Sequence, residues 1–291
     1  MKMDMLRLFR SSLTVISPTL NTKVNYLIHH HKRCNLKNPQ TIEEKVLWLK
    51  LNKYMDDPTV IQCADKYRVR EYIKDHGCAD ILNELLAVYD SPDEIDWDAL
   101  PNQFVMKWTF GSTYNFVCKD KSAANREAVI TQFKKWGKEK YWLPYSEMQY
   151  KYAPKKIIVE KYLEDEEYPN ALPDYKAYCF HGEPLAFLVM HDRDKVLKRE
   201  FFDKDWNRLP DHPGFPAPAV ETPKPMCLDK LIEVSRALSK DFPFVRCDFY
   251  VVNGKVFFGE MTFTPAGGIY FKHTTIDGKP MTDYLHIDTS K

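Results

Sequence analysis

Two carboxylates, Asp248 and Glu260, stand in apolar segments on either side of Asn253-Gly254 in FVRCDFYVVNGKVFFGEMTFTPAGG. Ionised side chains among Val, Phe and Cys are expensive to bury unpaired, so their presence there asks for a chemical reason. Carboxylates on paired strands suit Mg²⁺, which takes one or two of them and fills its shell with phosphate oxygens and water. Arg246, two residues before Asp248 and on its face, would offset charge developing on a transferred phosphoryl group. Thr262 follows Glu260 on its face. A buried Arg–Asp pair serving structure alone has the same spelling.

The turn sets a condition on this site. Asn-Gly invites a two-residue type I′ hairpin, in which Val252 pairs with Lys255. Counting back in that register sets Asp248 opposite Gly259 and turns Glu260 to the other face. A shared ion needs both carboxylates on one face. We therefore expect a three-residue loop such as 253–255, or a bulge, that restores Asp248 opposite Glu260.

Three further stretches hold reactive spellings. Lys107 lies inside the apolar run FVMKW (104–108) and is followed by Gly111, Ser112 and Thr113. A lysine there wants an anion, and a small-residue loop can fold over phosphates and offer backbone N–H groups. An edge-strand lysine beside an ordinary hairpin loop reads the same way. No Gly-Lys-Ser/Thr run opens a helix, so this is not a Walker loop. In KIIVEKYLEDEE, Glu160, Lys161, Tyr162 and Leu163 end an apolar run, the form of a strand end that meets a nucleotide base. Glu167, seven residues beyond Glu160, is in position to return to ribose hydroxyls, although a solvated acidic turn would look alike. In DYKAYCF, period-two alternation puts Asp174, Lys176 and Tyr178 on one face, and Lys176 again asks for an anion.

The elements that must position these residues follow from periodicity. The first ~80 residues are expected to be helical. Thr41 and Glu44 spell a capping box, Asp57-Pro58 opens another helix, and Ser122 is expected to cap a helix carrying Val129, Phe133 and Trp136. Strands are expected at 104–108, 114–118, 156–163, 174–180, 184–190, 199–203, 244–252 and 255–261, with a Pro-dense loop at 210–225 and a helix around Leu228, Leu231 and Leu238. This order is mixed α+β, not alternating βαβ. We divide it into a helical region 1–80, a small unit 81–155 and a C-terminal unit 156–291.

Charge and composition narrow the function. The 291 residues carry 42 basic against 41 acidic side chains, a net +1, which removes the footprint of a dedicated nucleic-acid binder. Seven scattered Cys without a C-x-x-C pair point to reduced thiols and a cytoplasmic setting. The run Leu185 to Met190 is far too short to span a bilayer, and no signal peptide is read at the N-terminus. The cluster His29, His30, His31, Lys32, Arg33, Cys34 spells a metal site or an anionic-lipid patch, but adjacent His residues on a helix cannot all face one metal. It is read as a solvated basic face. Asp203-Lys204-Asp205, with Asp192 and Asp194 repeating the spacing, fits the D-x-D pattern of a glycosyltransferase, and DKDWNRLP also reads as a turn.

From the TIEEKVLWLKL and ADKYRVREYI helices to GEMTFTPAGG, the chain resembles the ATP-grasp superfamily and, within it, the TupA-like family named for teichuronopeptide biosynthesis. The resemblance implies an ATP-grasp fold, two α+β subdomains clasping ATP and Mg²⁺, with a helical N-terminal region. It implies phosphate contacts from Lys107, Lys176 and the loop 111–113, an adenine hinge at Glu160, Lys161, Tyr162 and Leu163, and a ribose carboxylate at Glu167. Arg246 would act on the transition state, and Asp248 and Glu260 would hold Mg²⁺. Many relatives carry Asn where Thr262 stands, which leaves one or two Mg²⁺ open, and GSTYN holds less Gly than the usual loop. The implied activity is a ligase joining an amine or amino acid to a carboxylate through an acyl phosphate. The carboxylate would be a uronic acid of a surface polysaccharide or its precursor, which leaves room for peripheral contact with membrane-associated machinery. A small-molecule kinase on the same fold is the alternative.

Overall fold

The computed structural model describes residues 2–168, 171–191, 197–210, 218, 221–271, 275–276 and 278–290, with the side chains of residues 2–4 outside that description. Five helices lead the chain: α1 (Lys2–Ile16), α2 (Pro18–His30), α3 (Ile42–Asn52), α4 (Pro58–Ala64) and α5 (Val69–Asp75). Their starts follow from local chemistry. Thr41 accepts from the Glu44 N–H, and Asp57 accepts from Thr59 and Val60 with Pro58 in the first turn. Glu44 does not complete the reciprocal box on Thr41. Its carboxylate reaches past it to the N–H groups of Gln40 and Asn35, each at 2.8 Å.

Then come β1 (Leu85–Tyr89), β2 (Phe104–Trp108), β3 (Asn115–Cys118), α6 (Arg126–Gly137), α7 (Gln149–Tyr152) and β4 (Ile157–Lys161). The cap of α6 is Asn125, which accepts from Ala128, whereas the expected Ser122 is drawn into a turn by Asp120. An antiparallel sheet of order β1-β4-β2-β3 packs Phe104, Met106, Ile157 and Val159 against Phe133 and Trp97. β4 sits between β1 and β2 in this sheet, and Ile157, Ile158 and Val159 are buried, so both of its faces are covered there. β4 thus pairs with β1 and β2, strands of the stretch before residue 156, and the chain passes to the next sheet after Lys161.

The second sheet is built from β5 (Asp174–Phe180), β6 (Glu183–His191), β7 (Lys198–Asp203), β8 (Phe244–Val252) and β9 (Lys255–Thr262), in the order β7-β6-β5-β8-β9. Helix α8 (Leu228–Ser239) covers it. Its stripe Leu228, Leu231, Val234 and Leu238 joins Ala177, Cys179, Val245, Cys247 and Phe249 in one core. Burying each such aliphatic or aromatic side chain stabilises the fold by about 1.5–3 kcal/mol. Helices α3, α4 and α5 are not a separate body, since Val46, Leu49, Val60 and Ile73 enter the same core. Tyr54 ties them down, its hydroxyl donating to Phe244 O at 2.8 Å and accepting from Phe244 N at 3.2 Å. All seven cysteines are free, and among the described residues no helix is long and apolar enough to cross a membrane.

The β8–β9 hairpin resolves the question set by its turn. Asn253 (φ 49°) and Gly254 (φ 73°) form the tight turn, and Val252 pairs with Lys255. The regular register runs back only to Phe249 opposite Phe258. There it shifts, and Asp248 stands opposite Glu260 with Gly259 as the extra residue. A Cβ on Gly259 would lie 2.9 Å from the Asp248 carbonyl oxygen, so the bulge needs a residue without one. Gly259→Ala should lower unfolding free energy by about 1–3 kcal/mol, the usual range for overpacking, as read by urea denaturation. An unchanged midpoint would mean that the bulge does not depend on the missing side chain.

Candidate active site

Strands β5, β8 and β9 lie side by side, and their register lines up two rows of side chains on one face. Lys176, Asp248 and Glu260 form one row, and Tyr178, Arg246 and Thr262 the next. Asp248 is buried, and both its oxygens are taken. Arg246 donates Nε to Oδ1 at 2.6 Å and Nη2 to Oδ2 at 2.7 Å, while Lys176 Nζ donates to Oδ2. This two-pronged pairing is the strong form of a carboxylate–guanidinium contact. Arg246 Nη2 also donates to Thr262 Oγ1 at 3.2 Å and lies 4.0 Å from Glu260.

Glu260 is only partly covered and faces the cavity. Burial alone would raise its pKa, but Lys66, at 3.2 Å, with Lys176 and Arg246 more than offsets this and lowers it from 4.5 to about 2. Lys66 has a second task. Its backbone N–H donates to Thr109 O and its Nζ to Gly111 O at 2.6 Å, so it clasps the loop 111–113 between β2 and β3. Gly111 has φ +71°, and a Cβ there would lie 2.8 Å from the Tyr141 ring.

On the first sheet, Lys107 finds its anion in Glu160 at 2.7 Å, and Arg70 approaches the other oxygen of that carboxylate at 3.0 Å. Lys161 spends its N–H on Glu84 O and its carbonyl on Asn83 Nδ2, leaving Tyr162 and Leu163 as the backbone of this segment that can meet a base. Glu167 is exposed. Its N–H donates to Asp165 Oδ1 at 2.9 Å, and its side chain lines none of the three cavities below.

These groups line three adjoining cavities. One of about 260 Å³ is bordered by Val105, Lys107, Glu160, Tyr162, Leu163 and Phe258. One of about 150 Å³ holds Lys66, Lys107, Ser112, Lys176, Asp248 and Glu260, and shares Lys107, Asn115, Asp174 and Tyr250 with the first. The largest, about 660 Å³, shares Gly111, Ser112, Lys176 and Glu260 with the second and is walled by Tyr141, Tyr145, Tyr150 and Tyr270. Burial pushes the pKa of Lys50, which stands behind that wall, down to about 8, and raises that of Glu147, which lines the same cavity. Lys50 donates to Tyr145 O and Gly267 O, and Glu147 accepts from Thr264 at 2.7 Å.

The structure thus gathers Lys107, Gly111, Ser112, Thr113, Glu160 to Leu163, Lys176, Arg246, Asp248, Glu260 and Thr262 along one line, with Glu167 apart from it. Lys66, Arg70 and Glu147 were not singled out from sequence. The spacing of Lys66, Val69, Arg70 and Ile73, which puts the two cations on the same helical stripe as two buried apolar residues, was the available signal. The donor set suits Mg²⁺: two carboxylates in one row, one of them strongly acidic and open to a cavity. Among the described residues no three His, Cys, Asp or Glu side chains gather to hold a metal by themselves, so an ion here would draw oxygens from a ligand. The D-x-D pair fares differently. Asp203 is buried and accepts from Asp205 N, Asn207 N and Asn207 Nδ2, a turn and not a metal site, and Asp192 and Asp194 lie outside the described residues. Of the histidine run, His30 donates to Ile269 O, His29 borders the largest cavity, and His31 to Arg33 are exposed.

A family profile described as TupA-like ATPgrasp matches residues 44–280, beginning after α1 and α2. No curated protein matches the chain. Among solved structures it is similar to a D-alanine–D-alanine ligase from Bacillus anthracis complexed with ATP, at 13% identity and TM-score 0.42, over 69% of this chain and 55% of that one. An L-amino acid ligase from Bacillus licheniformis is similar at 13% identity and TM-score 0.44, over 72% of this chain and 45% of that one. The ADP complex of an N5-carboxyaminoimidazole ribonucleotide synthetase is similar at 12% identity and TM-score 0.44, over 78% and 52%. The chain spans about half the length of these proteins.

Glu260 makes the electrostatics testable. Its folded pKa is depressed, so its ionised form stabilises the fold above 4.5, and that contribution is lost as pH falls toward about 2. In ligand-free protein, Glu260→Gln should flatten the dependence of unfolding free energy on pH across that window, as measured by denaturant titrations. An acid limb as steep as that of the wild type would show that the three cations do not hold this carboxylate.

Proposed function

Because the chain belongs to the TupA-like ATP-grasp family, we propose that it is an ATP-dependent carboxylate–amine ligase working through an acyl phosphate. One observation carries the reading: three cavities join in series, and the middle one holds Asp248 and Glu260 in one row with Lys176, next to Arg246. In this reading the smaller outer cavity takes the base against Tyr162 and Leu163, and Glu167 serves the ribose. Lys107, Lys176 and the N–H groups of Gly111, Ser112 and Thr113 neutralise the phosphates. Asp248 and Glu260, with Thr262 alongside, would hold Mg²⁺, which would supply further positive charge to the phosphates. Arg246 and Lys176, the partners of Asp248, would stand beside the phosphoryl group and offset its charge.

The carboxylate substrate enters from the 660 Å³ cavity, where its oxygen attacks the γ-phosphorus and ADP leaves. The amine then attacks the acyl carbon and phosphate departs, giving an amide. Four tyrosines offer flat faces and hydroxyls, and Arg246 a guanidinium, a lining that suits a polyhydroxylated ring bearing a carboxylate. This supports a uronic acid of a surface polysaccharide or its precursor as acceptor, with an amino acid or simple amine as partner.

Product analysis with ATP and a panel of uronic acids and amines tests the reading: ADP with amide is expected. ADP with a phosphorylated acceptor would make it a kinase, and no nucleotide turnover would end the proposal. Asp248→Asn and Glu260→Gln should each abolish turnover, and the double variant should be no worse than either alone, because one lost ligand already empties the site. Additive losses would show that the two carboxylates act separately. Lys107→Met and Lys176→Met should weaken nucleotide binding in a chain that still folds, as read by ATP titration and a cooperative thermal transition, which Lys176→Met moves to lower temperature because Asp248 loses a partner.

A further inference from the structure

The α1–α2 hairpin is built inside out. Its buried face is polar: Thr14 donates to Leu143 O, Asn21 to Pro144 O and Ser146, Asn25 to Pro144 O, and Arg10 to the Tyr145 hydroxyl. Its outward face is apolar. Met5, Leu8, Phe9, Val15 and Ile16 recur along α1 at helical spacing, with Leu8 67% and Ile16 74% exposed, and Leu20, Leu27 and Ile28 continue the surface on α2. A hairpin meant to face water carries these faces the other way round.

Charge identifies what the face meets. Residues 5–42 contain Arg7, Arg10, Lys23, Lys32, Arg33 and Lys37 and no Asp or Glu, in a chain that is otherwise balanced. Lys23, Lys32, Arg33 and Lys37 are exposed, and among the described residues no carboxylate meets them. Beside the apolar stripe, a groove of about 250 Å³ is lined by Lys23, Val24, Leu27, Arg33 and Cys34, two cations against aliphatic surface. Pairing this face with itself across a two-fold axis would bring like charges together, whereas a bilayer of anionic lipids offers both acyl carbon and phosphate.

We propose that the α1–α2 hairpin docks the enzyme on the surface of an anionic phospholipid bilayer, lying in the interface without crossing it. His29, at the C-terminal end of α2, borders the 660 Å³ cavity, so the docked face stands beside the mouth through which the acceptor enters. That last link rests on the ligase reading. The docking itself does not, and it is measured without nucleotide, so a chain that binds vesicles but forms no amide separates the two.

The test is flotation of the full chain with vesicles of phosphatidylcholine alone and with an equal mixture of phosphatidylcholine and phosphatidylglycerol. The protein should float with the anionic vesicles far more than with the neutral ones, and salt should weaken binding. Lys23→Glu with Arg33→Glu should lower partitioning at least roughly fivefold per site, on the scale of the attraction of one basic residue to an anionic surface. Leu8→Ser with Phe9→Ser should lower it as well, with thermal unfolding and ADP release in solution unchanged. Absence of binding, or equal recovery with both vesicle types, overturns the proposal. So does a concentration-dependent dimer in sedimentation equilibrium that Leu8→Ser with Phe9→Ser removes.

Discussion

The buried carboxylate of Asp248 governs the architecture around it. A lone anion at that depth would be prohibitive, so the sheet brings Arg246 from two residues away on the same strand and Lys176 from the neighbouring strand. Stripping one partner from such a cluster typically costs about 3–5 kcal/mol, because the remaining charge stays buried. The cluster therefore holds β5 and β8 in register, and the shift at Gly259 draws Glu260 into the same row. Without ligand the charges satisfy one another. A polyphosphate or a cation can enter only by taking over existing partners, which makes binding an exchange rather than an addition.

The same logic recurs on the facing sheet. Glu160 is shared between Lys107 and Arg70, and Lys66 divides its ammonium between Glu260 and the carbonyl of Gly111. Lys66 thus ties the small-residue loop of one sheet to the acidic row of the other. Movement of the loop and the charge state of that row are consequently linked through one side chain.

Much of this was legible from the chain. Costly residues in apolar strands, Lys107, Lys176, Arg246, Asp248 and Glu260, announced themselves by being out of place. The conflict between an Asn-Gly turn and two carboxylates on one face required an irregularity, and the bulge is where it was required. What stayed hidden is equally physical. Lys66, Arg70 and Glu147 sit in or beside helices, where a charged residue is unremarkable until tertiary structure turns it inward. Ser122 and Asn125 are both good caps, and only the competing pull of Asp120 decides between them. The strand order that places β4 inside the first sheet depends on pairings across the chain, which no local pattern encodes. The hairpin α1–α2 reads as helix, but its inverted faces emerge only when its contacts with residues 143–146 are known.

The β8–β9 ribbon also has a far end. At its tip the N–H of Asn253 donates to Asp165 Oδ2 at 2.8 Å, and the other oxygen of Asp165 accepts from Glu167 and Tyr168. The connection that leaves the first sheet is thus pinned to the turn, five residues from Asp248, on the order of 17 Å along an extended strand. The ribbon acts as a ruler laid beneath the cleft, with the acidic row at one mark and the pinned connection at the other. On the proposed reading, a nucleotide shortened at the phosphate end would engage the connection without reaching the acidic row.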